Sequence, residues 1–180
     1  MSITHSLISS RTMALAALYQ EPRLWPAETT FTDHDIVIGH QSLCALVEER
    51  GAPCLMIAPT GEDPRSDDFR TVVITRVSAY IPGHGLRRGE VSVDCNLDPL
   101  ESRVLDVRHL RDPNAPRRRT TLLSSRAGQV TIRTALASAC RPGDLLALTC
   151  LGTVALGQIA RQDTSDSDTD DDPWLGRCLK

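Results

Sequence analysis

From residue 69 onward the chain is a series of short β-branched runs, each closed by Gly, Pro, Asn or Asp, and this rhythm limits the possible folds more than any other feature. Residues 69–80 carry Val72, Val73, Ile74 and Val77. Residues 90–97 alternate through Val91, Val93 and Cys95, and residues 103–110 through Leu105 and Val107. Further runs at 118–124, 129–134, 144–150 and 153–159 complete the series. Successive strand side chains point to opposite faces, so each run can bury one face and solvate the other. Regularly spaced short strands predict a small antiparallel β-barrel or sandwich. With 180 residues, 41% of them apolar, the chain suits one hydrophobic core. Aromatic residues make up only 3%, so that core is aliphatic and stacking platforms for bases or sugars are not expected.

The first third follows a different period. Leu7, Ile8, Ala14, Leu15 and Leu18 recur at helical spacing and predict a helix over residues 4–20, stopped by Pro22. Residues 21–35 read as an extended connection. A strand at 36–38 precedes a helix at 41–50, with Leu43, Leu46 and Val47 on one stripe and Gly51 just past its end. A strand at 54–58 closes a strand, helix, strand unit. No glycine-rich turn joins its first strand to its helix, which argues against a dinucleotide site. The expected fold class is therefore α+β, mainly β, with two N-terminal helices covering an open face or edge. One globular domain spans 1–161, with a helical part at 1–58 and a β-rich part at 69–160. An acidic tail follows at 162–180, and its Ser, Thr and Asp run is expected to be mobile unless a partner orders it.

No membrane span or export signal is expected. Arg11 follows the short apolar stretch at 3–8 where a secretory signal would place it before, so the chain is expected to be made in the cytoplasm. The uncharged stretch 145–160 is short for a span and is broken by Gly152 and Gly157; it reads as two strands and a turn.

Arginine supplies nearly all the positive charge, since Lys180 is the only lysine, and a GC-rich coding sequence accounts for a bias spread along the whole chain. Residues 103–141 hold nine Arg against Asp106 and Asp112, whereas residues 163–172 hold six Asp and no base. Arg87 and Arg88 lie in a glycine-rich loop at 82–89, and Arg117, Arg118 and Arg119 form a basic triplet. The loop joins two strands and lacks the helix N-terminus of a phosphate loop. These five arginines are assigned to partner binding. A nucleic-acid-binding barrel using the 103–141 region is the second possibility, opposed by the scarcity of aromatics and by the acidic tail. Strand alternation also keeps Arg103, Arg108, Arg119 and Arg133 from all pointing one way.

Six cysteines stand outside any C-x-x-C pair, which excludes zinc-ribbon and thioredoxin-type sites on spacing. They read as reduced core thiols, or as disulfides formed after leaving a reducing compartment. Asp33, His34, Asp35 and His40 combine imidazole with carboxylate in the manner of a metal or acid-base site, but their spacing matches no ligand motif and suits a polar loop leading into a helix. Cys44 or Cys54 with His34 or His40 as base would make a thiol or metal-assisted hydrolase, the third possibility. The structural role is favoured for both thiols. No catalytic residue, metal or cofactor is assigned, and the chain is not expected to be an enzyme.

Residues 69–159, including the turn and strand start Arg141-Pro142-Gly143-Asp144-Leu145-Leu146, resemble the small β-rich neck, tail or baseplate proteins of tailed bacteriophages. That resemblance implies a structural or assembly role within a virion. Its partners would be other protein subunits, including copies of itself.

Overall fold

The computed structural model describes residues 24–61, 68–83, 88–115, 117–125, 131–137 and 140–160, with the backbone alone for 118–122, 124, 125 and 137. Among them are ten strands: β1 (Thr29–Phe31), β2 (Ile36–Ile38), β3 (Gln41–Ser42), β4 (Cys54–Pro59), β5 (Phe69–Ile81), β6 (Gly89–Val93), β7 (Val104–His109), β8 (Arg117–Ser125), β9 (Thr131–Ala137) and β10 (Leu145–Leu151). Two helices, α1 (Leu43–Arg50) and α2 (Leu156–Ile159), and a 3-10 turn at Asp98–Leu100 complete the description. The fold is mainly β, as the alternation predicts.

Strands β1, β2 and β3 form a small antiparallel sheet. The large sheet runs β7-β10-β5-β6-β8-β9, with β4 attached to β5. It is organised by β5, thirteen residues long. Its first half pairs with β4 and β10, from Phe69↔Pro59 to Ile74↔Cys54 on one edge and from Arg70↔Leu151 to Arg76↔Leu145 on the other. Its second half pairs with β6, after an irregularity between Val77 and Ala79. Such a break bends a strand and raises its twist, which lets one strand serve both halves of the sheet. All pairs are antiparallel except β6 with β8, which run parallel and need the intervening β7 as part of their crossover. This parallel pair departs from the expected antiparallel barrel or sandwich. Strands β7 and β9 approach each other without being hydrogen-bonded neighbours, so the ladder is not a closed barrel.

Two cores lie on opposite faces of the β4-β5-β10-β7 layer. The first, inside the curled sheet, gathers Val73 and Val77 of β5, Val91 and Val93 of β6, Leu123 of β8, Ile132 and Leu136 of β9, and Leu146 and Leu148 of β10. Leu97, Leu100, Val154 and Ile159 from the connecting segments cap it. The second lies between the outer face and the N-terminal layer, joining Val72, Ile74, Leu145 and Ala147 to Trp25, Ile36, Ile38, Leu43, Leu46 and Val47. Double-sided burial explains why β5 and β10 read as nearly continuous apolar runs. Thr71, fully buried in β5, is satisfied by donating to the Gly152 carbonyl at 2.7 Å and accepting the Val154 N–H at 3.1 Å.

Several sequence expectations change. The strand expected at 153–159 is the short helix α2. The stretch 145–160 is thus one strand, a turn at Gly152 and a helix. Residues 21–35 contain β1, and the N-terminal part holds a small sheet besides α1. The first expected helix, at 4–20, and the acidic tail lie outside the described residues. Among the described residues no helix is long and apolar enough to cross a membrane.

Candidate functional site

The acidic and histidine-rich segment before α1 is organised around helix capping. Ser42, at the N-cap, accepts the Ala45 N–H at 3.0 Å through its hydroxyl and donates that hydroxyl to Asp35 Oδ2. Asp35 Oδ1 accepts the N–H groups of Ile36 at 2.8 Å and Cys44 at 3.1 Å. First-turn donors of a helix have no partner inside it, and these two side chains supply theirs. Asp33, His34 and His40 are exposed. Among the described residues no three or more His, Cys, Asp or Glu side chains are grouped so as to hold a metal ion. At the other end of α1, Gly51 adopts φ 77° while its N–H bonds the Val47 carbonyl, a conformation that glycine reaches without strain.

The described cysteines sit where a thiol stays protonated. Cys44 donates its thiol to the backbone carbonyl of His34 at 3.6 Å, so it meets that residue's main chain and not its imidazole. Burial first, then a hydrogen bond to Asp35 and the charge of that carboxylate, push the Cys44 thiol up to about 11. Burial likewise raises Cys54, raises Cys95 and Cys140 to about 11, and raises Cys150 to about 12. Of these five cysteines, all but Cys44 are buried. The thiolate is the reactive form, and at pH 7 it makes up only about one part in ten thousand of a thiol titrating near 11. Cys44 in folded protein is therefore expected to alkylate slowly with iodoacetamide at pH 7, with the rate rising about tenfold per pH unit up to its own pKa. Mass spectrometry of quenched samples checks this, and fast stoichiometric labelling at pH 7 would contradict it.

Of the five arginines assigned to partner binding, Arg88 and Arg117 have described side chains. Arg88 is exposed just before β6, Arg87 lies outside the described residues, and Arg118 and Arg119 contribute only described backbone, in β8. Arg117, at the start of β8, is engaged within the fold: its Nη1 donates to Asp106 Oδ1. Asp106 Oδ2 accepts Arg108 Nε at 3.0 Å and Trp25 Nε1 at 2.9 Å. Arg108 also donates to the Pro113 carbonyl at 2.8 Å, and its guanidinium lies 4.5 Å over the Phe31 ring, which meets Trp25 edge-on. Asp106 is 7% exposed and Arg108 5%. One carboxylate thus ties β7, β8 and the N-terminal layer together. Sequence patterning missed this network, although Trp25 between Pro22 and Pro26 marks an anchored aromatic.

The outer edge of β4 has a different character. Thr60 N–H bonds the Asp68 carbonyl across the β4-β5 pair, whereas the Pro59 carbonyl accepts Ala27 N–H and the Phe69 carbonyl accepts Gly152 N–H on the β10 side. Backbone groups alternate sides along a strand, so those of Leu55 and Ile57 point away from β5. Among the described residues β4 pairs with β5 alone. The Ile57 side chain is 45% exposed, and beside it lies an open cleft of about 320 Å³ lined by Gln41, Leu46, Arg50, Leu55, Met56 and Ile57.

No protein-family model matches the chain, and no curated protein matches it.

Proposed function

We infer that the protein is a non-enzymatic structural or assembly component that works through protein-protein contacts, with a tailed-phage neck, tail or baseplate as the setting that its resemblance suggests. The curled sheet serves as a barrel-like scaffold for those contacts. One observation carries this: among the described residues, Asp35, Asp106 and Cys44 are committed to holding the fold. Asp35 caps α1, Asp106 joins two arginines to Trp25, and the Cys44 thiol is held protonated against a main-chain carbonyl. Large apolar side chains meanwhile stand exposed at Ile57, Ile81, Leu151 and Leu156. Apolar surface left in water favours protein contacts.

Native mass spectrometry of the protein retrieved from the cells that make it tests this. The expected result is a complex of fixed stoichiometry containing the chain; a free single chain throughout would overturn the assembly role. The nucleic-acid alternative predicts binding that weakens steeply with salt, because each phosphate contact releases a counterion.

A further inference from the structure

We propose that the outer edge of β4 pairs antiparallel with the same edge of a second copy, extending the large sheet across a two-fold axis. This rests on the assembly role and specifies one surface for it.

The backbone supplies the first reason. Leu55 and Ile57 both direct N–H and C=O outward, while Pro53 and Pro59 bracket them and offer no N–H. Antiparallel pairing of a strand with its own copy is self-complementary about a two-fold. One register uses all the outward groups: Leu55 opposite Ile57 of the second copy, Ile57 opposite Leu55, and Met56 opposite Met56. Registers shifted toward either end bring a proline into a donor position.

The side chains supply the second. Exposed edges are commonly blunted by charges, bulges or internal proline, yet β4 reads Cys54-Leu55-Met56-Ile57-Ala58-Pro59, uncharged throughout and with proline only at its end. A lone edge of this composition would also capture unrelated strands. Pairing with a copy hides it and covers Ile57.

Charge supplies the third and favours a copy over an unrelated strand. At the Cys54 end, Arg50 lines the cleft and its charge acts on Cys54, whereas Glu48 and Glu49 of the same helix do not line it. The Pro59 end carries exposed Glu28, next to the Ala27 that bonds Pro59, while exposed Asp68 there is already paired with Arg70 at 2.9 Å. Two-fold antiparallel pairing lays the Cys54 end of one copy along the Pro59 end of the other, so the Arg50 end of each copy meets the Glu28 end of its partner.

The test compares the full chain with Ile57→Lys, a change at a side chain exposed in the single copy, by sedimentation over roughly a hundredfold range of concentration and by amide hydrogen exchange at Leu55 and Ile57. The wild type is expected to show a two-chain mass, or a multiple of it, with both amides protected. In Ile57→Lys the dissociation constant should rise by at least about tenfold and both amides lose protection, while the amides of β10 stay protected and report an intact fold. A wild-type multimer unchanged by Ile57→Lys would overturn β4 pairing and leave the assembly role standing. A single chain with both amides protected would mean that another part of the same chain occupies the edge, and a single chain with both unprotected would mean an open edge; either overturns the proposal. Failure of the assembly role itself would appear separately, as a free single chain in the cells that make it.

Discussion

Asp106→Ala is expected to destabilise the fold by about 3–5 kcal/mol, because it takes the carboxylate partner from a buried guanidinium. Arg108 would keep the Pro113 carbonyl and the Phe31 ring but lose the carboxylate that offsets its charge. Trp25 would lose the acceptor of its indole N–H in the same step. Arg117, at 23% exposed, can turn to water and contributes less. The converse experiment separates pairing from mere presence. Asp106→Leu combined with Arg108→Met removes both charges, so it should recover much of the loss, since a buried pair replaced by apolar groups of similar volume is often close to neutral. Urea unfolding of wild type, Asp106→Ala and the double variant checks this. A loss below about 1 kcal/mol for Asp106→Ala would mean that the network is solvated and does not hold the layers together.

Trp25→Ala is expected to cost about 3–5 kcal/mol, in the usual range for deleting a buried aromatic. Trp25 is 1% exposed and lies in the second core with Ile36, Ile38 and Leu43, and its neighbour Leu24 accepts the Thr149 hydroxyl at 2.9 Å. The substitution empties the side of the sheet that the N-terminal layer covers and leaves the first core untouched. Hydrogen exchange should therefore speed up more in β2 and α1 than in β6, as expected when one packed unit opens before the rest. Equal acceleration in both regions would mean that the two cores unfold as one unit.

Much of the architecture was readable in the residues, since most strands from β4 to β10 fall close to their alternating runs and α1 ends where Gly51 stops it. Strands β1 and β3 were not, because three or two residues hold too little alternation to reveal a period. Helix α2 escaped for the same reason. Its segment buries Val154 and Ile159, five positions apart, a spacing that marks neither a strand face nor a helical stripe. Asp106 and Arg108 were the instructive failure. Alternating with Val107 in β7, they look like a solvent face, and the layer that covers them belongs to residues far earlier in the chain.

Local sequence determined where most of the longer strands lie, which of their faces are apolar, and where α1 stops, because backbone preference and side-chain alternation act over a few neighbouring residues. Tertiary structure alone decided that both faces of the β4-β5-β10-β7 layer are covered, that Arg117 of the basic triplet turns inward to Asp106, and that among the described residues β4 pairs with β5 alone. Each depends on segments such as Trp25 and Asp106, 81 positions apart, coming together. No local pattern records such a meeting, because the free energy that fixes it arises only when the second core closes.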